Sequence, residues 1–153
     1  MDKVIFAHVS DRGVRVLGRL NLGDESPWGK IDHLDYIADG IYSVSTPSHG
    51  GYMFRKDVAA KIPCFPESKG FLAREFGGQW LCFEEDCAAY IAELILDKHF
   101  ESDYRAHVAK VDYMSYGDRI RCALVGSNAW YPEQARAIYP APVNVDCTKY
   151  EVK

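Results

Sequence analysis

Residues 41–46, Ile-Tyr-Ser-Val-Ser-Thr, lie between Asp39-Gly40 and Pro47-Ser48-His49-Gly50-Gly51. This short run constrains the fold more than any other. Tyr42 and Val44 point one way and Ser43 and Ser45 the other, the two-residue period of a strand. Asp-Gly is a strong hairpin signal, so residues 30–38 before it read as the partner strand. Beyond the second turn, Tyr52-Met53-Phe54 begins a third strand. The middle of the chain is therefore expected to form an antiparallel meander. Upstream, residues 3–9 and 14–20 are rich in Val, Ile, Leu and Phe and flank Ser10-Asp11-Arg12-Gly13. They predict a hairpin with a loop of about four residues. Downstream, Pro63 and Pro66 limit any helix over 57–62, and 64–78 reads as a long irregular connection.

The period then changes. Cys87, Tyr90, Ile91, Leu94 and Ile95 recur at three- and four-residue steps, which predicts a helix over 83–100. Glu84, Glu85 and Asp86 would occupy its first turn and Lys98 and His99 its last, each complementing the macrodipole. Ser102 is placed to cap a second helix to about residue 113, packing through Ala106, Val108, Ala109 and Val111. Gly117-Asp118 precedes a third over 119–125. Pro132 opens a fourth to about 138, and Pro140 and Pro142 end it. Residues 143–152 read as an extended tail that pairs with the sheet. Strands first and helices second predict an α+β fold, with an antiparallel sheet from the N-terminal half packed against helices from the C-terminal half. The expected organisation is a single domain over 1–153, with a hairpin extension at 1–25, a core at 26–139 and a tail at 140–153.

Composition narrows the function classes. A chain of 153 residues that is 48% hydrophobic and 13% aromatic can bury a sizeable core. A net charge of -4 is too mild for a nucleic-acid mimic and has the wrong sign for a nucleic-acid binder, so no direct nucleic-acid contact is expected. The start, Met1-Asp2-Lys3-Val4-Ile5-Phe6, does not resemble a signal peptide, and no stretch approaches the roughly 20 apolar residues of a membrane span. Five cysteines without a CxxC pair fit reduced thiols. The expectation is a cytoplasmic protein, without a membrane partner, whose cysteines are mostly small buried hydrophobes.

Candidate chemistry centres on His49. An imidazole in a glycine-bracketed turn can act as acid–base or ligand, and Gly50 and Gly51 would let backbone N–H groups face an anion. The plainer reading is a turn in which the glycines supply backbone freedom and His49 caps. Glu84, Glu85 or Asp86 could orient His49, or simply decorate a helix N-terminus. His33, His49, Cys82 and Cys87 match no defensible zinc spacing, so no metal and no cofactor are expected. Cys82, just before the predicted helix, is the better thiol candidate, and Cys87 lies too deep in the helical pattern. Trp28, Trp80, Trp130 and Tyr131 cannot all be assigned to core patterns, and such residues are favoured at interfaces.

The motifs Ser26-Pro27-Trp28-Gly29, Asp39-Gly40-Ile41, Ser45-Thr46-Pro47-Ser48-His49-Gly50-Gly51 and the segment from Trp80 to Asp86 resemble, in that order, an uncharacterised domain family of plasmids, phages and other mobile elements. Trp130-Tyr131-Pro132 fits its later W-x-P-like segment, and the resemblance covers about residues 26–139. Trp80 is separated from the acids by three residues, longer than the usual spacing. The run from Thr46 to Met53 is also similar to anti-restriction proteins. The family implies no activity. It implies a small accessory protein, and such proteins often block restriction or CRISPR systems.

Two functions follow as expectations. One is a non-enzymatic protein that binds and inhibits a host protein or nucleoprotein defence complex. Its binding residues would be Trp28, His49, Gly50, Gly51, Glu84, Glu85 and Asp86, within an acidic surface that includes Glu93 or Asp97. The other is a small enzyme with His49 as acid–base and a carboxylate from Glu84–Asp86, with Glu84 and Glu85 the named partners.

Overall fold

The computed structural model describes residues 18–111 and 114–140, together with the backbone of strands 7–10 and 13–16. The expected tail at 143–152 lies outside the described residues. Strands β1 (Ala7–Ser10) and β2 (Gly13–Val16) pair antiparallel with Ser10 opposite Gly13. The expected N-terminal hairpin therefore forms, with a tighter connection than four residues. A second small hairpin, β3 (Glu25–Ser26) and β4 (Gly29–Lys30), turns at Pro27-Trp28.

The main sheet contains β5 (His33–Ala38), β6 (Ile41–Ser45), β7 (Gly50–Arg55), β8 (Phe71–Leu72) and β9 (Trp80–Glu84). Their order is β5-β6-β7-β9-β8 and all neighbours are antiparallel. The meander is as expected. Gly40 sits at φ 72°, the left-handed backbone that the Asp39-Gly40 turn demands. Gly50 and Gly51 belong to β7 rather than to the turn before it. Arg55 fastens the far end of β7. Its guanidinium holds Asp57 through Nε at 2.5 Å and Nη2 at 3.1 Å, and also reaches Asp39 at 3.3 Å and the Gly18 carbonyl at 3.2 Å. One buried, bidentate cation thus ties the short helix α1 (Lys56–Ala59), the Asp39-Gly40 turn and the entering chain to the sheet.

The helical half departs from expectation at its start. Residues 80–84 are strand β9, and helix α2 is Ala89–His99, so Glu84, Glu85 and Asp86 do not form a helical first turn. The reason is packing on two sides. Trp80 and Cys82 face one layer, Leu81 and Phe83 the other, and all four are buried. Asp86 then takes a left-handed backbone, φ 71°, which interrupts any helical run before Ala89. Helix α3 (Glu101–Val111) contains Ser102 instead of being capped by it. It buries Tyr104, His107 and Val108, whereas Ala106, Ala109 and Val111 are exposed. Helix α4 (Tyr116–Trp130) begins earlier and ends later than its apolar pattern suggested. Ser115 caps it, accepting from the Asp118 amide at 3.2 Å. Helix α5 (Pro132–Ile138) is where Pro132 placed it.

The fold is therefore α+β, and both sheet faces are covered. Ile37, Ile41, Phe54, Leu81 and Phe83 pack on Ile91, Leu94 and Ile95 of α2 and on Tyr104 and Val108 of α3. The opposite face, with Tyr42, Val44, Met53, Trp80 and Cys82, is covered by Leu20, Trp28, Ile31 and Phe76. Among the described residues, no helix is long and apolar enough to cross a membrane.

Candidate functional site

The sequence motifs meet at one end of the sheet. In the 46–49 turn, the Thr46 amide donates to the His49 carbonyl at 2.8 Å, and the His49 amide donates to Thr46 Oγ1 at 3.2 Å. The Trp28 carbonyl lies 3.0 Å from Thr46 Oγ1 and 3.2 Å from Ser48 Oγ, and it accepts from these hydroxyls. The Pro27-Trp28 turn is thereby tied to the His49 turn. Next in the chain, Gly51 pairs with Glu84 of β9, and the Glu85 amide donates to the Gly50 carbonyl at 2.9 Å. A Cβ on Gly50 would overlap the Val44 carbonyl oxygen, and one on Gly51 the Phe83 carbonyl oxygen. These glycines serve close backbone packing, not an open anion cradle. Trp28 is buried beneath this corner, its ring edge-on to Phe71 at 5.9 Å.

The corner presents His49 with Glu84 and Glu85. His49 Nδ1 lies 3.9 Å from Glu84 Oε1 and 4.0 Å from Glu85 Oε1, and the imidazole is 59% exposed. These separations exceed hydrogen-bonding reach, so neither carboxylate fixes the ring. The group is an exposed acidic rim, completed by Asp86. Glu85 and Asp86 also line the mouth of a hollow of about 270 Å³ between the sheet and α2–α4, whereas His49 lines no part of it.

A second set of polar groups lies deeper. Cross-strand register aligns Asp35, Ser43 and Tyr52 on the helix-facing side of β5, β6 and β7. Above them Glu93 of α2 is only 2% exposed. Tyr104 of α3 donates to Glu93 Oε2 at 2.6 Å, and the Tyr52 hydroxyl lies 3.2 Å from the same oxygen and 2.9 Å from the Tyr104 hydroxyl. Arg119 of α4 approaches Glu93 to 3.5 Å. Burial, together with the Glu93 charge, pushes both phenols well above their ordinary range. Beside this cluster His107 Nδ1 is hydrogen-bonded to Asp35 Oδ2, and Lys110 donates to Asp35 Oδ1 at 2.8 Å. Burial alone would raise the Asp35 pKa, but the His107 and Lys110 contacts outweigh it and hold the carboxyl below its ordinary value.

Several expectations change accordingly. Glu93 is not part of an acidic surface, because it is buried among tyrosines. Asp97 is half-buried and accepts from Tyr116 at 2.5 Å and from Tyr139. Cys82 is fully buried and its thiol is pushed up by burial, the reverse of an activated nucleophile. Among the described cysteines only Cys82 is buried; Cys87 and Cys122 are half-buried and Cys64 is exposed. Trp80 is core, Tyr131 half-buried under Lys69, and Trp130 stands 63% exposed. Among the described residues, no three His, Cys, Asp or Glu side chains are grouped to hold a metal ion.

Sequence reasoning placed His49 with Glu84 and Glu85 but missed the deeper set. One signal was available. Glu93 is a lone acid in Ile91-Ala92-Glu93-Leu94-Ile95-Leu96, a run apolar on every helical face, and such a carboxylate needs buried partners. Its partners come from distant segments and carry no common spacing.

No curated protein and no solved structure matches the chain. A family profile does match it, over residues 21–147, spanning both the acidic corner and the deeper polar set. The chain belongs to the family described as a domain of unknown function, DUF7007.

Proposed function

We propose that this protein acts by binding, and that its acidic corner docks on a basic surface of a host protein or nucleoprotein defence complex and blocks it. The observation that carries the reading is convergence. Segments 26–29, 45–51 and 80–86, far apart in sequence, are held together by the Trp28 carbonyl and the Gly51–Glu84 pairing. The charged and titratable side chains at their meeting point are the exposed His49, Glu85 and Asp86 and the partly exposed Glu84, beside the uncharged Ser45, Pro47 and Ser48. A fixed backbone carrying a local excess of carboxylates suits contact with Lys- and Arg-rich surfaces, the surfaces by which proteins hold phosphate backbones. The mobile-element setting and the defence target come from the sequence resemblance. Acid–base chemistry at His49 is the weaker reading, because the ring is exposed and neither carboxylate orients it.

Affinity capture from bacterial lysate tests the docking role. Tagged wild-type protein is expected to retain a nucleic-acid-handling complex at low salt and release it as salt rises. The Glu84→Gln/Glu85→Gln/Asp86→Asn variant is expected to retain none. Equal capture by the folded variant would remove the corner from the interface.

A further inference from the structure

Beside the Asp35–His107 pair, a hollow of about 300 Å³ opens between β6–β7 and α3–α4. Ser43, Tyr52, Tyr104, His107 and Arg119 give it a polar wall, and Val108, Val111 and Met114 an apolar one. It shares Ser43, Tyr52 and Arg119 with the hollow that opens at Glu85 and Asp86. Nothing in the docking reading uses this space.

We propose that this hollow is a general-base site, in which His107, positioned by Asp35, activates water against a small ester. Four observations support it. The imidazole is only 5% exposed and its Nδ1 is engaged by Asp35, which fixes the tautomer and leaves Nε2 as the basic nitrogen. The ring orientation is set on two sides. Tyr104 stacks on it at 5.8 Å and 19°, and Tyr52 meets it edge-on at 6.3 Å and 71°. Asp35 is itself immobilised by its place in β5 opposite Ser43 and by Lys110. The mixed wall accepts a ligand with a carbonyl at one end and an apolar acyl group at the other.

The step balances with water as co-reactant. A proton moves from water to His107 Nε2 while the water oxygen bonds to the acyl carbon. The ester C–O bond then breaks, and the departing oxygen leaves as an anion or takes the proton back from the imidazolium. Arg119, which lines the hollow and is also paired with Glu93 at 3.5 Å, would supply positive charge toward the developing oxyanion. His107 is the catalytic residue, and Asp35 is a positioning residue acting through it. Neither His107 nor Asp35 belongs to the acidic corner.

The test uses p-nitrophenyl acetate as probe. Wild-type protein is expected to hydrolyse it about 100-fold faster than folded His107→Gln. Val111→Trp, made at an exposed position that borders the hollow, should fill the space and lose the rate with His107 intact. His33→Gln, an exposed imidazole elsewhere, should match wild type. Nitrogen-15 shifts of the His107 ring should place its proton on Nδ1 in wild type and redistribute it in Asp35→Asn. The proposal is overturned if wild type is no faster than His107→Gln, or if Val111→Trp keeps the full rate. Should His107→Gln fail to fold, the Val111→Trp rate and the wild-type ring tautomer decide alone.

Discussion

Gly51 has no room for a side chain, because a Cβ there would enter the Phe83 carbonyl and approach the Trp28 ring at 3.0 Å. Gly51→Val is expected to destabilise the fold by about 2 kcal/mol or more, read as a lowered denaturant midpoint with an unchanged slope. His49 is the opposite case. It is exposed and outside hydrogen-bonding reach of its acids, so His49→Ala should change stability by no more than about 0.5 kcal/mol. The sequence showed that these neighbours differ in kind from the rest of the chain. It did not show that the glycines serve strand packing, because that depends on β9 lying alongside. Asp35 gives a pH-dependent prediction. Its folded pKa lies below the ordinary value of 3.8, so the folded state binds fewer protons than the unfolded state in acid. The stability it contributes is present above 3.8 and is lost as pH falls through the lower folded value. Thermal melts should therefore show a steeper fall below that pH in wild type than in Asp35→Asn. Equal slopes would mean that the His107 and Lys110 contacts leave Asp35 unshifted.

Among the elements, α2 organises the most. It buries Ile91, Ala92, Leu94, Ile95 and Leu96, so it is embedded rather than amphipathic. Leu94→Ala is expected to cost about 2–5 kcal/mol in a denaturant titration. A cost near that of a surface change would misplace the helix. The helix was legible from its three- and four-residue spacing, although its start was not. A strand covered on both faces is a continuous apolar run, and its end, Phe83-Glu84, reads as the first turn of the helix that follows until the strand's partners are known. Helix α3 was misread differently. Its packing stripe is Tyr104, His107 and Val108, and two of these carry polar atoms whose burial depends on Glu93 and Asp35, eleven and seventy-two residues away in sequence. Spacing within one helix cannot reveal such partners.

At the scale of the whole molecule, the meander, the strand-then-helix order and the α+β class followed from local periodicity and turn chemistry. The insertion of β9 between β7 and β8 did not, because it rests on long-range pairing across the 56–79 connection. That insertion places the Glu84–Asp86 acids against the His49 turn and gives the corner its acidic character. The function proposed for this corner is tested most directly in cells that carry a restriction or CRISPR system and are challenged with a susceptible phage. Wild-type protein is expected to restore plaque formation, and the Glu84→Gln/Glu85→Gln/Asp86→Asn variant, expressed to the same level, is expected to leave the cells protected. Equal plaque counts with wild type and variant, or no restoration by wild type across these systems, would contradict the docking role.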